Sequence, residues 1–475
     1  MSIPLVVLVA SGALGALPEE QALIDIGTRL ELFVDRHLID ELHGAELQMH
    51  HPLPAETALA FDKPWEGRYC GYVTVIKDAE VYRAYYRGLP MAGADGSAAE
   101  TTCYAESTDG ITFTKPNLGL FEVNGTRENN VILANAAPLS HNFAPLLDTR
   151  PQVPPEQRYK ALAGTSASGL VAFASPDGLH WTKLHEGPVI TEGAFDSQNV
   201  AFWSESEGCY VCYFRTWDGY RTISRVTSPD FVNWSAPVPM TYRDTPREHL
   251  YTNQTRPYFR APHIYLAVSA RFMPGRRVVT AAQSTQLGGD AGYSGDCSDT
   301  VLMTSRGGSV YDRTFMEGFV RPGLGLTNWT SRTNYPACGV VAISEEEMAI
   351  YVQRDYGRPT QYLQRLKLRT DGFVSLNAPY AGGECRTKPL EFSGKQLTIN
   401  YATSAAGSVC VEIQDQAGTP IPGFAQADAD EIIGDEIARL VSWQGNTDVA
   451  PLARRAVRLR FILKDADLYS FQFHE

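Results

Sequence analysis

Ser107-Thr108-Asp109-Gly110-Ile111-Thr112-Phe113 is the stretch whose reading decides the fold. It returns as Ser175-Pro176-Asp177-Gly178-Leu179-His180-Trp181 and again as Ser228-Pro229-Asp230-Phe231-Val232-Asn233-Trp234. Two degenerate copies follow, Ser305-Arg306-Gly307-Gly308 leading to Phe315, and Thr370-Asp371-Gly372-Phe373. Asp-Gly tolerates the positive φ of a tight turn, and the Asp carboxylate bonds its own following backbone. The aromatic residue just beyond pins the outer strand to its neighbour. Five copies at blade-sized intervals predict a closed radial array, an all-β five-bladed propeller.

Outward from these turns the sequence reads as strands in groups of four. The fourth group is expected over 256–259, 263–271, 300–304 and 311–315, with a long loop between its second and third strands. The fifth is expected over 337–343, 348–354, 362–369 and 373–376. Gly 40 and Pro 29 suit so many turns, and few segments carry a helical period. After Tyr380-Ala381-Gly382-Gly383 the Asp turn is absent and the remaining strands alternate apolar and polar residues. The expected organisation is therefore a leader or disordered start over 1–24, the propeller over 25–380 and a C-terminal β-sandwich over 381–475. One or two strands in 25–55 are left to dock on either domain.

The 475 residues are 44% hydrophobic and carry a formal net charge of −13. An acidic chain without a basic run argues against nucleic acid as a partner. The apolar stretch from Ile3 to Ala16 is too short to span a bilayer and ends in small residues. It reads as an export signal that lacks the usual basic start, so a secreted or periplasmic location is expected. Of eight cysteines, Cys209 and Cys212 fall within one expected strand and face opposite sides, which predicts neither a bridge nor a zinc knuckle. No cofactor and no metal are expected, and the oligomeric state stays open.

Meander connectivity says where chemistry sits. The loop leading into each inner strand and the loop from the second strand to the third lie on one face, and the inner strands converge there. The residues just ahead of the inner strands are Asp62, Trp65, Glu66 and Tyr69; His141 and Asn142; Asp196, Gln198 and Asn199; Glu248, His249, Tyr251 and Asn253; and Arg332, Asn334 and Tyr335. Asp299 and Glu317 are expected on the same rim.

This layout resembles the five-bladed propeller glycoside hydrolases that carry a C-terminal β-sandwich, such as invertase-like enzymes, and shares its propeller with arabinanase-like ones. The stretches Asp299–Arg306, 328–336 and 457–461 look more like bacterial secreted proteins described as glycosyl hydrolase-like. The resemblance implies a hydrolase that takes an oligo- or polysaccharide into a funnel. The chain departs from invertases in lacking their nucleophile motif and Arg-Asp-Pro, and Glu384-Cys385 lies at the start of the expected sandwich, so a retaining mechanism does not carry over.

Glycoside hydrolysis needs two carboxyls across the sugar bond. Asp196, Glu248, Asp299 and Glu317 are the catalytic candidates. Asp62, Trp65, Glu66, His141, Asn142, Gln198, His249, Asn253, Arg332 and Tyr335 are the substrate-binding ones. Arg256, Arg260, Arg271, Arg321 and Arg332 add an option for acidic sugars, since guanidinium pairs with carboxylate in a fork. Trp65, Trp217 and Trp329 are candidates for stacking on sugar faces. Two other readings stay open: a polysaccharide lyase using His249, Tyr251 and Arg332, and a non-catalytic glycan-binding propeller. Phosphate-binding loops, nucleophile elbows and His-Glu-x-x-His are absent from the sequence.

Overall fold

A computed structural model describes residues 22–475. The apolar start read as an export signal lies outside the described residues. Five four-stranded sheets and one ten-stranded sheet make up the architecture. The first three blades follow the meander: Gly71–Asp78, Val81–Gly88, Thr101–Ser107 and Val131–Leu133; then Ala144–Leu147, Tyr159–Thr165, Gly169–Ser175 and Thr182–Lys183; then Val200–Ser204, Cys209–Trp217, Arg221–Ser228 and Val238–Pro239. Blade four pairs Thr255–Tyr258, Ala261–Pro274 and Asp296–Ser305, with His249–Leu250 added at the end of the second strand. Its expected outer strand is reduced to single bridges, Thr304 to Asp312 and Thr300 to Val320.

The recurrent turn closes as its chemistry requires. Ser107 Oγ accepts the N–H of Gly110 at 3.0 Å, and Asp109 Oδ1 accepts those of Ile111 and Thr112 at 2.8 and 3.1 Å. Ser175/Asp177 and Ser228/Asp230 repeat the pattern. Gly110, Gly178 and Phe231 take the same left-handed step, at φ of 70°, 77° and 70°. Trp181 and Trp234 each donate the indole N–H back to the turn, at 3.1 Å.

Blade five departs from expectation in its fourth strand. Leu53–Ala60 fills the outer slot against Tyr362–Arg369. Residues 373–376, expected there, are diverted, and Val374–Ala378 joins the ten-stranded sheet. Asp371 marks the exit: it accepts from Tyr258 and Arg260 of blade four and from Asn400 and Ser470 beyond the propeller. Blades one and five also meet through their inner segments, where Val75 donates to Cys338 O and Cys338 to Val73 O, both at 2.8 Å.

The strands Ile24–Gly27, Glu31–Leu32, Ile39–His43 and Glu46–Met49 all pair into the ten-stranded sheet with the C-terminal strands. Expected boundaries at 25 and 380 are therefore crossed by pairing from both ends of the chain. Two long strands, Gln396–Asp415 and Val457–His474, run through this sheet with a register break between Thr403 and Ser408. Residues on both sides of the break share one buried cluster with Phe33, Trp443 and Phe461.

Cores lie between neighbouring blades because strand side chains alternate. In Cys209–Trp217, Tyr210, Cys212 and Phe214 pack toward blade two, whereas Val211 and Tyr213 pack toward blade four. Cys209 sits against the second cluster and Cys212 in the first, and both thiols are free. Each such fully buried side chain contributes about 1.5–3 kcal/mol.

Candidate functional site

The axis is closed at depth by a polar plug. Gln198 of blade three donates to Thr74 Oγ1 of blade one at 2.6 Å and accepts from Gln254 of blade four at 2.7 Å. Gln254 also donates to Pro336 O of blade five, at 2.9 Å. The guanidinium of Arg256 donates to Ala201 O and Pro145 O and reaches Cys338 Sγ. All five blades contribute atoms to these contacts, and the axial space above them is the candidate funnel.

Its wall is built from arginine and tyrosine. Tyr251, only 5% exposed, has the Arg215 guanidinium 4.6 Å, the Arg221 guanidinium 5.2 Å and the Arg332 guanidinium 5.8 Å from its ring. The Tyr335 ring is 5.1 Å away, and Arg332 also covers Tyr293 at 5.0 Å. Arg87 covers Tyr72 at 4.6 Å. Arg87 is committed to Asp95 at 2.7 Å, and Arg215 to Asp196. Arg221 and Arg332 form no ion pair among the described residues.

Backbone strain collects at the same place. Non-glycine residues with positive φ precede or open the inner strands of all five blades: Tyr72, Asn142, Phe195, Gln254, Arg332 and Asn334, between 44° and 72°. Each costs on the order of 1 kcal/mol or more and is held by its surroundings. Tyr335 Oη, Asp296 Oδ1 and Ser298 Oγ find no hydrogen-bond partner in the structure.

The electrostatics of two groups stand out. Burial pushes the Tyr251 phenol up, but Arg332 and Arg215, by charge and hydrogen bond, outweigh it and bring the pKa to about 8. Burial pushes the Asp296 carboxyl above its ordinary range, against the pull of Ser331, Arg332 and Arg221. A half-buried acid with a raised pKa thus stands beside two arginines that form no ion pair among the described residues.

The residues singled out from sequence fall in three places. Asp196, His141, Asn142, Gln198, Arg332 and Tyr335 gather around the axis. His141 is held between Glu100, at 3.1 Å, and Asn142, at 2.9 Å. Asn142 donates to Ser197 O at 3.0 Å, and Asn253 to Tyr213 O at 3.2 Å. His249 lies outward, its ring 4.8 Å from Tyr220 and 6.1 Å from Trp217, and burial together with Arg221 lowers its pKa. Asp62, Trp65 and Glu66 belong to blade one. Glu66 is fully buried and accepts from Tyr86 at 2.7 Å and Lys115 at 2.7 Å; Lys115 also binds Asp62 at 2.8 Å, and Trp65 donates to Asn130 at 2.7 Å.

Glu248 and Asp299 meet each other off the axis. Arg271 binds Asp299 at 2.6 and 2.8 Å and Glu248 at 2.8 Å, and Arg313 takes the other Glu248 oxygen. Glu317 is exposed beside them. The sequence reading passed over Asp296, Arg87, Arg215 and Arg221. The three arginines sit where second strands end or third strands begin, on the same face by the connectivity rule. Asp296 opens a third strand that starts earlier than expected, at Asp296 rather than 300.

No family model matches the chain, and no curated protein matches it. Solved structures that resemble it include the catalytic domain of an α-L-arabinofuranosidase from Coprinopsis cinerea, at 10% identity, covering 68% of this chain and 98% of that one, with a TM-score of 0.43. An N-acetylgalactosamine deacetylase from F. plautii, in complex with blood group B trisaccharide, matches at 12% identity over 69% and 96%, with a TM-score of 0.43. A glycosyl hydrolase from Bacteroides ovatus matches at 15% identity over 70% and 96%, with a TM-score of 0.37. By its own five sheets around a plugged axis, the chain is a five-bladed β-propeller protein with a C-terminal β-sheet module.

Proposed function

We propose that the protein is a glycoside hydrolase that draws the end unit of an acidic glycan into the blind funnel. The observation that carries this is the half-buried Asp296 carboxyl beside Arg221 and Arg332, two guanidinium groups without an ion-pair partner among the described residues. Arginine binds a uronate-type carboxylate in a two-pronged fork. Asp296, whose carboxyl burial raises above its ordinary range, is the general acid toward the glycosidic oxygen. Asp196, ion-paired with Arg215, is the carboxylate that activates water or attacks. Tyr251 packs against Arg215, Arg221 and Arg332, the arginines that stand beside the two acids. Because the plug of Gln198, Gln254 and Arg256 closes the axis, only a chain end fits, and cleavage is of the exo type.

The test is turnover of a panel of aryl glycosides of neutral and uronic sugars. Asp296→Asn and Asp196→Asn should each lower turnover of the acidic substrate at least about a hundredfold, the usual scale for a lost general acid or base. Full activity in both variants, or preference for neutral glycosides, removes the assignment.

Tyr251 supports a second reading, a polysaccharide lyase. A phenol with a pKa of about 8 supplies a base near neutral pH, and Arg215 and Arg332 would neutralise the uronate whose α-proton it removes. An ultraviolet-absorbing unsaturated product that disappears in Tyr251→Phe selects the lyase. Binding without turnover across the same glycans selects a binding propeller.

A further inference from the structure

A cavity of about 470 Å³ opens on the funnel face, between blade four and the segment that leads into blade five. It shares both walls with the funnel. One wall is the strand Asp296–Ser305: Asp296 looks toward Arg221 and Arg332, while Cys297 and Asp299 line the cavity. The other wall is the segment from Gly318 to Trp329, which continues directly to Arg332. Asp296 and Asp299 are three strand positions apart, about 10 Å at 3.3 Å per residue, the span of roughly two pyranose units.

The charges in the cavity do not cancel at its mouth. Arg271 is saturated by Asp299, Glu248 and the Met316 carbonyl, and Arg313 completes Glu248. Arg276 and Arg321 line the opening, are exposed and form no ion pair among the described residues. Exposed cations without an acid partner raise the concentration of anions there. The apolar side suits a sugar ring. Trp329 is half-buried, its indole N–H tied to Gly323 O at 3.0 Å, so the ring presents one fixed face; Met273 and Pro322 extend that surface. A cavity of this size, mostly apolar with a few placed cations, has the make-up of a ligand site.

We propose that this cavity is a second sugar subsite that takes an anionic unit of the same glycan, its ring on Trp329 and its carboxylate or sulfate on Arg276 and Arg321. The substrate class is then an oligosaccharide with more than one acidic sugar. The inference rests on the funnel holding the terminal unit, as proposed above.

The experiment is calorimetric titration of the full chain with four probes: glucuronic acid, a glucuronate-containing tetrasaccharide, its O-sulfated counterpart and maltotetraose. Wild type is compared with Arg276→Gln/Arg321→Gln and with Trp329→Ala. Both arginines are on the surface, and a thermal melt checks that the variants fold. An acidic tetrasaccharide should bind wild type and lose at least about tenfold in affinity in each variant, the scale of a lost charge-assisted contact. Glucuronic acid should bind wild type and variants alike, and maltotetraose should bind neither. Loss confined to the sulfated probe assigns the cavity to sulfate, and loss with both assigns it to carboxylate. If glucuronic acid fails to bind wild type while the tetrasaccharide still depends on Arg276 and Arg321, the funnel reading falls and the subsite stands. Equal tetrasaccharide affinity in wild type and variants, or no binding of either acidic tetrasaccharide, overturns the subsite.

Discussion

Tyr251 offers a direct physical measurement. Its pKa of about 8 lies two units below the ordinary phenol value of 10.0, although burial alone would raise it. At pH 7 about one molecule in ten carries the phenolate, and at pH 9 about nine in ten. The large fully buried tyrosines of the blade cores behave oppositely: burial pushes Tyr86, Tyr258 and Tyr311 well above 10. A pH titration followed by tyrosinate absorbance should therefore show a step of one equivalent centred near pH 8, separate from the bulk. Tyr251→Phe should abolish the step, and Arg332→Gln should move it upward, because one of the two opposing cations is gone. The stability sign follows from the same shift. A depressed acid stabilises the fold fully above its unfolded pKa, near 10, and that contribution disappears as pH falls through 8. Two units correspond to about 3 kcal/mol. In urea unfolding, the gap between wild type and Tyr251→Phe should thus widen from pH 7 to pH 10. A titration with no step below pH 9, or one that survives in Tyr251→Phe, would refute the claim that Arg215 and Arg332 hold the phenolate.

Glu248→Gln should destabilise the fold by about 3 kcal/mol in urea, since it strips the buried Arg313 of its acid partner; an unchanged midpoint would count against that. A non-reduced digest should contain Cys209 and Cys212 as separate thiols, and a mass matching their bridge would contradict the strand geometry. A chain that begins after Ala60 should lose cooperative thermal unfolding, because blade five loses its outer strand and the core between blades five and one loses Ala58 and Leu59; a sharp, unshifted melt would show that closure is dispensable.

The turns were readable because each is local: serine, aspartate and the residue at positive φ lie within four positions, and their hydrogen bonds stay inside the turn. The outer strand of blade five was not, since nothing in 373–376 announces that Leu53–Ala60 already occupies the slot. Connectivity placed Asn142, Gln198, Arg332 and Tyr335 at the axis from sequence order alone. It applies equally to Arg87, Arg215 and Arg221, at the turns between second and third strands, and they were legible by the same rule. Asp296 was hidden by strand register. The stretch read as loop is already strand from Asp296 on, and alternation along it turns Asp296 and Asp299 to opposite faces. The capture of Glu248 by Arg271 and Arg313 depends on partners 23 and 65 positions away, which spacing does not encode.

The strand Leu53–Ala60 has a consequence for how the chain is made. Its partner, Tyr362–Arg369, leaves the ribosome about 300 residues later, some 15–60 s at ordinary synthesis rates. Throughout that interval the strand is an unpaired edge, and blade one stands without its neighbour across the seam. Pro54 and Glu56 lie within it, the kinds of residue that discourage wrong pairing of a waiting edge. The strands from Ile24 to Met49 wait longer still, for the ten-stranded sheet that the C-terminal residues complete. The ring is thus sealed last, by the first described part of the chain, and an interrupted synthesis leaves blades without closure.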